Sequence, residues 1–185
     1  MSVIVIEFIT LDGIVSDPDG STGTAYGGWM FRYGPEAVAG DKFRLGRVLD
    51  EGVLLLGRTT WKLFAGLWPG RDDQFAARMN AVPKLVASRT ATDVSAWSNS
   101  RLVEGDLLEA VRAERRDLVV AGSLAVVHAL RAADLVDEYR LMAFPVVLGE
   151  GRRLFPAGSP PADLECLSAE RVGAAVLTRY RRAAR

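Results

Sequence analysis

One short segment constrains the fold of this chain more than any other. The all-apolar run 53–56 ends at Gly57 and passes directly into the polar, helix-like sequence 58–61. A strand made only of apolar residues is typical of sheets covered on both faces, which are parallel or mixed. Open sheets of this kind bind ligands beyond the carboxyl ends of their strands. The segment therefore predicts a buried strand that ends at a ligand-binding edge.

The residues at this strand end suit a phosphate group. Gly57 allows close approach to the backbone, and the first amide groups of the following helix can point at an anion. The Arg58 guanidinium can bind a phosphate through two hydrogen bonds. A simpler alternative stays open, in which Gly57 only forms a turn, Thr59 caps the helix and Arg58 lies in solvent.

Two other strand ends carry glycine, hydroxyl or guanidinium groups in the same way. They are Gly122 and Ser123 after the strand 118–121, and Ser88 and Arg89 after the strand 83–87. If these strands belong to one sheet, their ends can face one extended anionic ligand. The pattern therefore predicts a phosphate site built from three strand ends.

Composition limits the class of protein. The 185 residues fit one domain over 1–185, and 23 basic residues balance 23 acidic ones, which argues against nucleic-acid binding. No apolar run approaches the roughly 20 residues that cross a bilayer. The first residues enter a strand pattern with no export signal, and Cys166 is the only cysteine. We therefore expect a cytoplasmic protein without a membrane span or an intrachain disulfide.

Strand and helix patterns alternate along most of the chain. Strands are predicted over 3–8, 53–56, 83–87, 101–103, 118–121, 138–144 and 146–148, and a closing hairpin over 166–170 and 174–182. Helices are predicted over 36–50, 59–64, 72–80 and 106–114, and from about residue 122. This order predicts an α/β fold with a mixed sheet, in which antiparallel carboxyl-terminal strands complete one edge.

A long glycine-rich loop over 11–35 contains the aromatic residues Tyr26, Trp29 and Phe31. Loops of this length in a compact domain are often lids or binding loops. The pattern predicts that these three side chains contact a substrate. Packing on the domain surface or at a subunit contact remains an equal alternative.

The common catalytic constellations are missing from the sequence. His128 is the only histidine, no Gly-x-Ser-x-Gly elbow occurs, and no set of residues has the spacing of a metal site. The remaining glycine, hydroxyl and arginine groups are suited to binding. Such a protein fits a redox cofactor, because the cofactor itself supplies the chemistry of hydride transfer.

Four segments in order along the chain resemble the RibD carboxyl-terminal domain family of the dihydrofolate-reductase-like superfamily. They are 8–13 (FITLDG), 56–61 (LGRTTW), 120–123 (VAGS) and 134–151. The resemblance implies a dihydrofolate-reductase-like mixed, mostly parallel sheet flanked by helices, with an antiparallel C-terminal hairpin. It also implies NADPH as cofactor and a homodimer.

The resemblance also assigns roles to particular residues. It implies that Gly57, Arg58 and Thr59 contact the cofactor phosphates, that Ser88 and Arg89 lie near the adenosine phosphate, and that Gly122 and Ser123 touch the pyrophosphate. Asp12 would border the nicotinamide and the substrate, where Asp12 or water would donate a proton. Asp41 is roughly where dihydrofolate reductases carry an acid on the first helix, although a solvated surface role is the simpler interpretation.

These observations lead to two ligand-binding hypotheses about function, beside a third in which the chain is a purely structural dimer. The first is an NADPH-dependent reductase of a small heterocyclic or sugar-like substrate, resembling 5-amino-6-(5-phosphoribosylamino)uracil reductase of riboflavin biosynthesis and dihydrofolate reductase. The second is a non-catalytic nucleotide-binding or regulatory module, favoured by the scarcity of acid and base groups. A phosphate-binding cleft is also compatible with a deazaflavin, since it does not identify the attached ring.

Overall fold

The computed structural model describes residues 1–91 and 93–183 of the chain. Its strands are β1 (Val3–Thr10), β2 (Val53–Gly57), β3 (Lys84–Ala87), β4 (Ser100–Leu102), β5 (Leu118–Val120), β6 (Glu138–Phe144), β7 (Leu164–Val172) and β8 (Ala175–Arg182). Its α-helices are α1 (Arg47–Glu51), α2 (Arg58–Leu67), α3 (Gln74–Ala81), α4 (Leu107–Ala113) and α5 (Leu124–Ala132). A short 3-10 helix covers Trp29–Tyr33.

The strands form one eight-stranded sheet in the order β4-β3-β2-β5-β1-β6-β8-β7. The pairs from β4 through β3, β2 and β5 to β1 are all parallel. The pairs β6–β8 and β8–β7 are antiparallel. The structure therefore confirms the prediction of a mixed, mostly parallel sheet with an antiparallel C-terminal hairpin.

The described residues form two compact units, of which the first holds Met1–Val5 and Leu45–Asp137. All residues of β2 and β5 are buried, as their apolar sequences predict. Helix α2 packs against β2 and β3, and α5 packs against β2. Helices cover this part of the sheet because uninterrupted apolar strands leave both of its faces to be buried.

The second unit holds Ile6–Arg44 and Glu138–Arg185. Aromatic rings pack around Phe144, whose centroid lies 5.6 Å from that of Phe8 and 5.5 Å from that of Trp29. The buried Arg140 pairs with Glu138 at 2.7 Å and donates a hydrogen bond to the Arg44 carbonyl at 2.6 Å. The expectation of a single domain over 1–185 stays a prediction.

The helix predicted over 36–50 was wrong for most of its length. Only Arg47–Glu51 is helical, and Asp41 lies in a bend before it. Gly40, Arg44 and Gly46 have positive φ angles of 57°, 53° and 52°, which right-handed helices exclude. The apolar spacing of this segment comes from separate turns that each bury a side chain, so Asp41 is not on a helix.

The strand predicted over 146–148 was also wrong, because this segment is irregular. The Val146 amide donates to the Phe144 carbonyl at 2.8 Å, which turns the chain at the end of β6. The Leu148 amide donates to the Asp12 carboxylate instead of a neighbouring strand. The Val146 and Leu148 amides, which a strand would pair with a neighbouring strand, are thus bound by a turn and by the Asp12 side chain.

Candidate functional site

Two of the predicted strand ends meet in the first unit. Strands β2 and β5 pair with Leu55 opposite Val120, and the Gly57 amide donates to the Gly122 carbonyl at 3.1 Å. The starts of α2 and α5 follow directly from these residues. The expected juxtaposition of Gly57 with Gly122 and Ser123 is therefore confirmed, whereas their contacts with a cofactor stay a prediction.

Close packing at this junction explains the two glycines. A Cβ atom on Gly57 would overlap the Ser123 hydroxyl and would lie 2.8 Å from the Ser123 Cβ. Gly122 has a φ of 92°, and a Cβ there would lie 3.0 Å from the Thr60 hydroxyl. The Gly122–Ser123 peptide bond is cis. The sequence predicted that a ligand approaches the backbone at Gly57, but the Ser123 side chain occupies the space beside its Cα.

The third strand end adjoins the first two. Ala87 of β3 lies opposite Gly57 of β2, so Ser88 begins the segment that leaves this edge of the sheet. The Ser88 hydroxyl oxygen accepts hydrogen bonds from the Thr90 and Ala91 amides at 3.2 and 2.8 Å. Its own hydrogen stays available for donation, because hydroxyl groups both donate and accept.

Three exposed side chains surround these strand ends: Arg58, Thr59 and Arg89. Arg58 and Arg89 make no hydrogen bond or ion pair with another described residue. In the same unit Arg78 and Arg116, by contrast, bind Asp50 and Glu114 at 2.6 and 2.9 Å. The two guanidinium groups at the strand ends are therefore able to bind an external anion without breaking a contact.

The helix starts at this junction have amide groups that no N-cap side chain binds. Neither Gly57 nor Ser123 caps its helix with a side-chain hydrogen bond, and the first turns of α2 and α5 contain no acidic residue. Free amides and the helix dipole both favour an anion at such ends. Phosphate groups fit this set of donors, since the free amides are neutral and the Arg58 and Arg89 guanidinium groups are positive.

The Asp12 carboxylate is bound by its own surroundings in the second unit. It accepts hydrogen bonds from the Thr10 hydroxyl at 2.6 Å, the Gly149 amide at 2.7 Å and the Leu148 amide at 3.3 Å. The Thr10 hydroxyl and these amides hold the pKa of Asp12 below its usual range. Its catalytic role stays a prediction, but these contacts favour the ionised form and a role in holding the loop.

The three aromatic side chains predicted to contact a substrate have different surroundings. Tyr26 and Phe31 are 48% and 57% exposed, whereas Trp29 is 0% exposed. The Trp29 indole donates to the Ser16 carbonyl at 3.1 Å and packs edge-on against Phe144. The burial of Trp29 agrees with the alternative in which an aromatic side chain of this loop packs against the protein instead of a substrate. Of the three side chains, only Tyr26 and Phe31 are exposed.

The sequence pattern did not predict the hydrogen bonds of Asp17 that hold the 11–35 loop. The buried Asp17 carboxylate accepts hydrogen bonds from the Thr22 amide and from the amide and hydroxyl of Thr24, at 2.8, 2.8 and 2.7 Å. Burial alone would raise the pKa of Asp17, but these hydrogen bonds outweigh it and lower the pKa to about 2. The sequence Asp-Pro-Asp-Gly at 17–20 is typical of a turn but does not indicate these contacts.

The sequence pattern did not single out Glu7 either. This carboxyl group lies in the middle of β1, is partly buried, and has no hydrogen bond or ion pair with another described residue. Burial raises the pKa of Glu7 to about 8. The available signal was a single charged residue inside an otherwise apolar strand.

Within residues 1–91 and 93–183, no group of three or more His, Cys, Asp or Glu side chains is arranged to hold a metal ion. In the same residues, no helix has both the length and the apolar character that crossing a membrane requires.

Comparisons with known proteins agree with this architecture. The model of the RibD C-terminal domain family matches residues 1–178. The uncharacterized protein YyaP of Bacillus subtilis is 28% identical over 112 residues, which cover 56% of this chain and 58% of that protein. This match thus spans little more than half the length of that curated relative.

Two solved structures resemble the chain over its whole length. A candidate riboflavin biosynthesis protein from Shewanella sp. PV-4 has a TM-score of 0.76 at 24% identity, with 100% of both chains covered. A pyrimidine reductase-like protein from Corynebacterium diphtheriae has a TM-score of 0.63 at 11% identity, with 100% of this chain and 92% of that chain covered. At these identities the likeness is one of fold.

The fold and the family match lead to the same assignment. The structural likeness confirms the dihydrofolate-reductase-like α/β fold. Because the family model covers nearly all of the sequence, the chain belongs to the RibD C-terminal domain family.

Proposed function

We propose that this chain is an NADPH-dependent reductase of a small heterocyclic or sugar-like substrate. One observation carries the proposal: two helices without side-chain caps begin next to each other at the joined ends of β2 and β5. Membership of a family of reductases supports it. Free amides and free guanidinium groups at the same strand ends suit a dinucleotide, which carries several phosphate charges.

Bound NADPH would supply the hydride, so the chain itself has to bind and orient. The first amides of α2 and α5 would donate to the phosphate oxygens. Arg58 and Arg89 would add charge-assisted hydrogen bonds, which contribute about 1.5–3 kcal/mol each. Ser88 would donate its hydroxyl hydrogen, since its oxygen already accepts from two amides.

Calorimetric titration with NADPH and with NADH tests this cofactor site. We expect micromolar binding of NADPH and a loss of about tenfold to a hundredfold in affinity for Arg58→Ala. If Arg58 or Ser88 meets the 2′-phosphate, its alanine variant weakens NADPH more than NADH. An equal loss of affinity for both cofactors would indicate that the residue contacts the pyrophosphate instead.

Arg115→Ala is the matched control. Arg115 is also exposed and makes no side-chain contact with another described residue, but it precedes β5 and thus lies at the amino end of that strand. Its removal should leave NADPH affinity unchanged. Equal losses for Arg58→Ala and Arg115→Ala, or no binding by the natural chain, would refute the proposed site.

Turnover separates the reductase from a non-catalytic nucleotide-binding module. NADPH oxidation would be followed with 5-amino-6-(5-phosphoribosylamino)uracil and with dihydrofolate as probes. Tyr26→Ala and Phe31→Ala should raise KM for a probe that is reduced, because both rings are exposed on the loop proposed to contact the substrate. Binding of NADPH without oxidation by either probe would favour the module.

We further propose a cytoplasmic homodimer. The edge strand β7 exposes eight of its nine residues, and unpaired strand edges readily pair with another chain. Light scattering of the purified protein should give twice the mass of one chain.

A further inference from the structure

The second unit contains a cavity of about 620 Å³, lined by the segment 33–36 and by residues at the turn between β7 and β8. Its volume is within the range of small-molecule sites. The lining includes Tyr33, Pro35, Glu36, Arg171, Gly173 and Ala174. None of these residues is among those proposed to bind NADPH, so the cavity is not part of the proposed cofactor site.

Contacts outside the cavity hold its walls in place. The Tyr33 hydroxyl donates a hydrogen bond to the Pro145 carbonyl at 3.1 Å. Arg44, which follows the first wall in sequence, pairs with Glu170 of β7 at 2.9 Å. The cavity is therefore formed before a ligand binds, and such preorganisation lowers the cost of binding.

Two oppositely charged side chains meet at Gly173. A Cβ atom on this glycine would lie 3.1 Å from the Cβ and the Oε2 atoms of Glu36, so the Glu36 carboxylate lies against it. The Arg171 Nε–H group donates to the Gly173 carbonyl at 2.9 Å. Gly173 has a φ of 60°, which glycine adopts readily, and its missing side chain leaves room for the carboxylate.

These two charged groups do not pair with each other. Glu36 makes no hydrogen bond or ion pair with another described residue, and Arg171 makes only its bond to the Gly173 carbonyl. Elsewhere on β7, by contrast, Glu165 pairs with Arg181 at 2.7 Å. The Glu36 carboxylate and the remaining N–H groups of Arg171 can therefore bind a ligand without breaking an ion pair.

A ligand that binds both groups has to carry an anion and a cation close together. A guanidinium group binds a carboxylate through two hydrogen bonds, and a carboxylate accepts hydrogen bonds from an ammonium group. An α-amino acid carries both groups on one carbon atom. Tyr33 and Pro35 add apolar lining, since the Tyr33 hydroxyl is already bound to the Pro145 carbonyl.

We propose that this cavity binds an α-amino acid with an apolar side chain. The carboxylate of the amino acid contacts Arg171, its ammonium group contacts Glu36, and its side chain packs against Tyr33 and Pro35. This site does not depend on the proposed reductase function, because all of its residues belong to the second unit and no turnover is involved.

An NMR titration of the protein with phenylalanine tests the site. We expect saturable binding of millimolar affinity or tighter that shifts the amides of Gly34, Glu36 and Gly173. Phenylpropionate lacks the ammonium group and phenethylamine lacks the carboxylate. Each analogue should bind at least about tenfold more weakly than phenylalanine, because it loses one charge-assisted contact.

Two variants assign the contacts separately. Glu36→Gln and Arg171→Gln should each weaken phenylalanine binding at least about tenfold. Glu36→Gln should leave the affinity for phenylpropionate unchanged, since this analogue has no ammonium group. Arg171→Gln should likewise leave the affinity for phenethylamine unchanged, whereas a distorted cavity would weaken all three probes.

Glu150→Gln and Arg152→Gln are the matched controls. Both residues are exposed in the same unit, do not line the cavity, and make no side-chain hydrogen bond or ion pair with another described residue. Phenylalanine affinity should be unchanged in both. The proposal would be overturned by the absence of saturable shifts, by phenylpropionate that binds as tightly as phenylalanine, or by equal losses in the variants and the controls.

Discussion

The starts of α2, α3, α4 and α5 in the first unit fall into two kinds. At α3 the Asp73 carboxylate accepts a hydrogen bond from the Ala76 amide at 2.9 Å, and at α4 the Asp106 carboxylate accepts from the Leu108 and Glu109 amides at 2.9 and 3.1 Å. At α2 and α5 the N-cap residues are Gly57 and Ser123, and neither makes such a bond. The chain thus uses capping carboxylates at α3 and α4 and omits them at the joined ends of β2 and β5. The short α1 also begins without a side-chain cap, but its first turn carries the acidic residue Asp50, whereas those of α2 and α5 carry none.

The contrast is sharpest at Ser123, because serine is among the best capping residues. Its hydroxyl lies against Gly57 and makes no hydrogen bond to the amides of α5. The Leu124 and Ala125 amides are therefore left for an external acceptor, whereas the Val126 amide donates to the Ser123 carbonyl at 2.9 Å. The first amides of a helix thus contribute to stability where a side chain caps them, and they can bind a ligand where none does.

Gly57→Ala should have the largest effect on the uncapped helix starts. The new Cβ would displace the Ser123 side chain, so we expect NADPH binding to be lost and the melting temperature to fall. Gly66→Ala in the same helix is the control, since a Cβ there meets nothing within 4 Å and should stabilise the fold by about 0.4–1 kcal/mol. Calorimetry measures the NADPH affinity of both variants, and thermal unfolding measures their stability. Unchanged NADPH affinity in Gly57→Ala would contradict the account.

Ser123→Asp should make the start of α5 resemble those of α3 and α4. A carboxylate there would bind the free amides and repel phosphate, so NADPH affinity should fall at least about tenfold. Circular dichroism would check that the variant is folded. An affinity that stays the same would show that phosphate does not approach this helix start.

Asp106→Ala should have the opposite profile. Loss of the cap of α4 should lower the free energy of unfolding by about 1 kcal/mol, measured by urea denaturation. Affinity for NADPH should not change. A variant that lost NADPH affinity without losing stability would remove the distinction between the two kinds of helix start.

The smallest effect should come from lowering the pH. The hydrogen bond from the Ala76 amide holds the pKa of Asp73 below its usual range, so this cap contributes stability above the ordinary pKa of about 3.9. That contribution is lost as the pH falls through the lowered value. Protection of the Ala76 amide from hydrogen exchange should therefore drop at acid pH, whereas that of Val126, bonded to the Ser123 carbonyl, should not depend on any cap.

The sequence predicted most of this junction because its signals are local. Apolar strands that end at Gly57 and Gly122 predicted β2, β5 and their shared edge, and the structure confirms both. Contacts between distant residues were not predictable, such as the Ser123 hydroxyl against Gly57 or the burial of Trp29 on Phe144. The helix prediction failed over 36–46 because apolar residues in separate turns can have the same spacing as those on one face of a helix.

Amide chemical shifts in an NMR titration with NADPH test the central claim most directly. The account predicts that saturable binding shifts the amides at the starts of α2 and α5, residues 58–60 and 124–126, while those at the starts of α3 and α4 stay in place. Binding that leaves 58–60 and 124–126 unshifted, or that shifts all four helix starts alike, would contradict it.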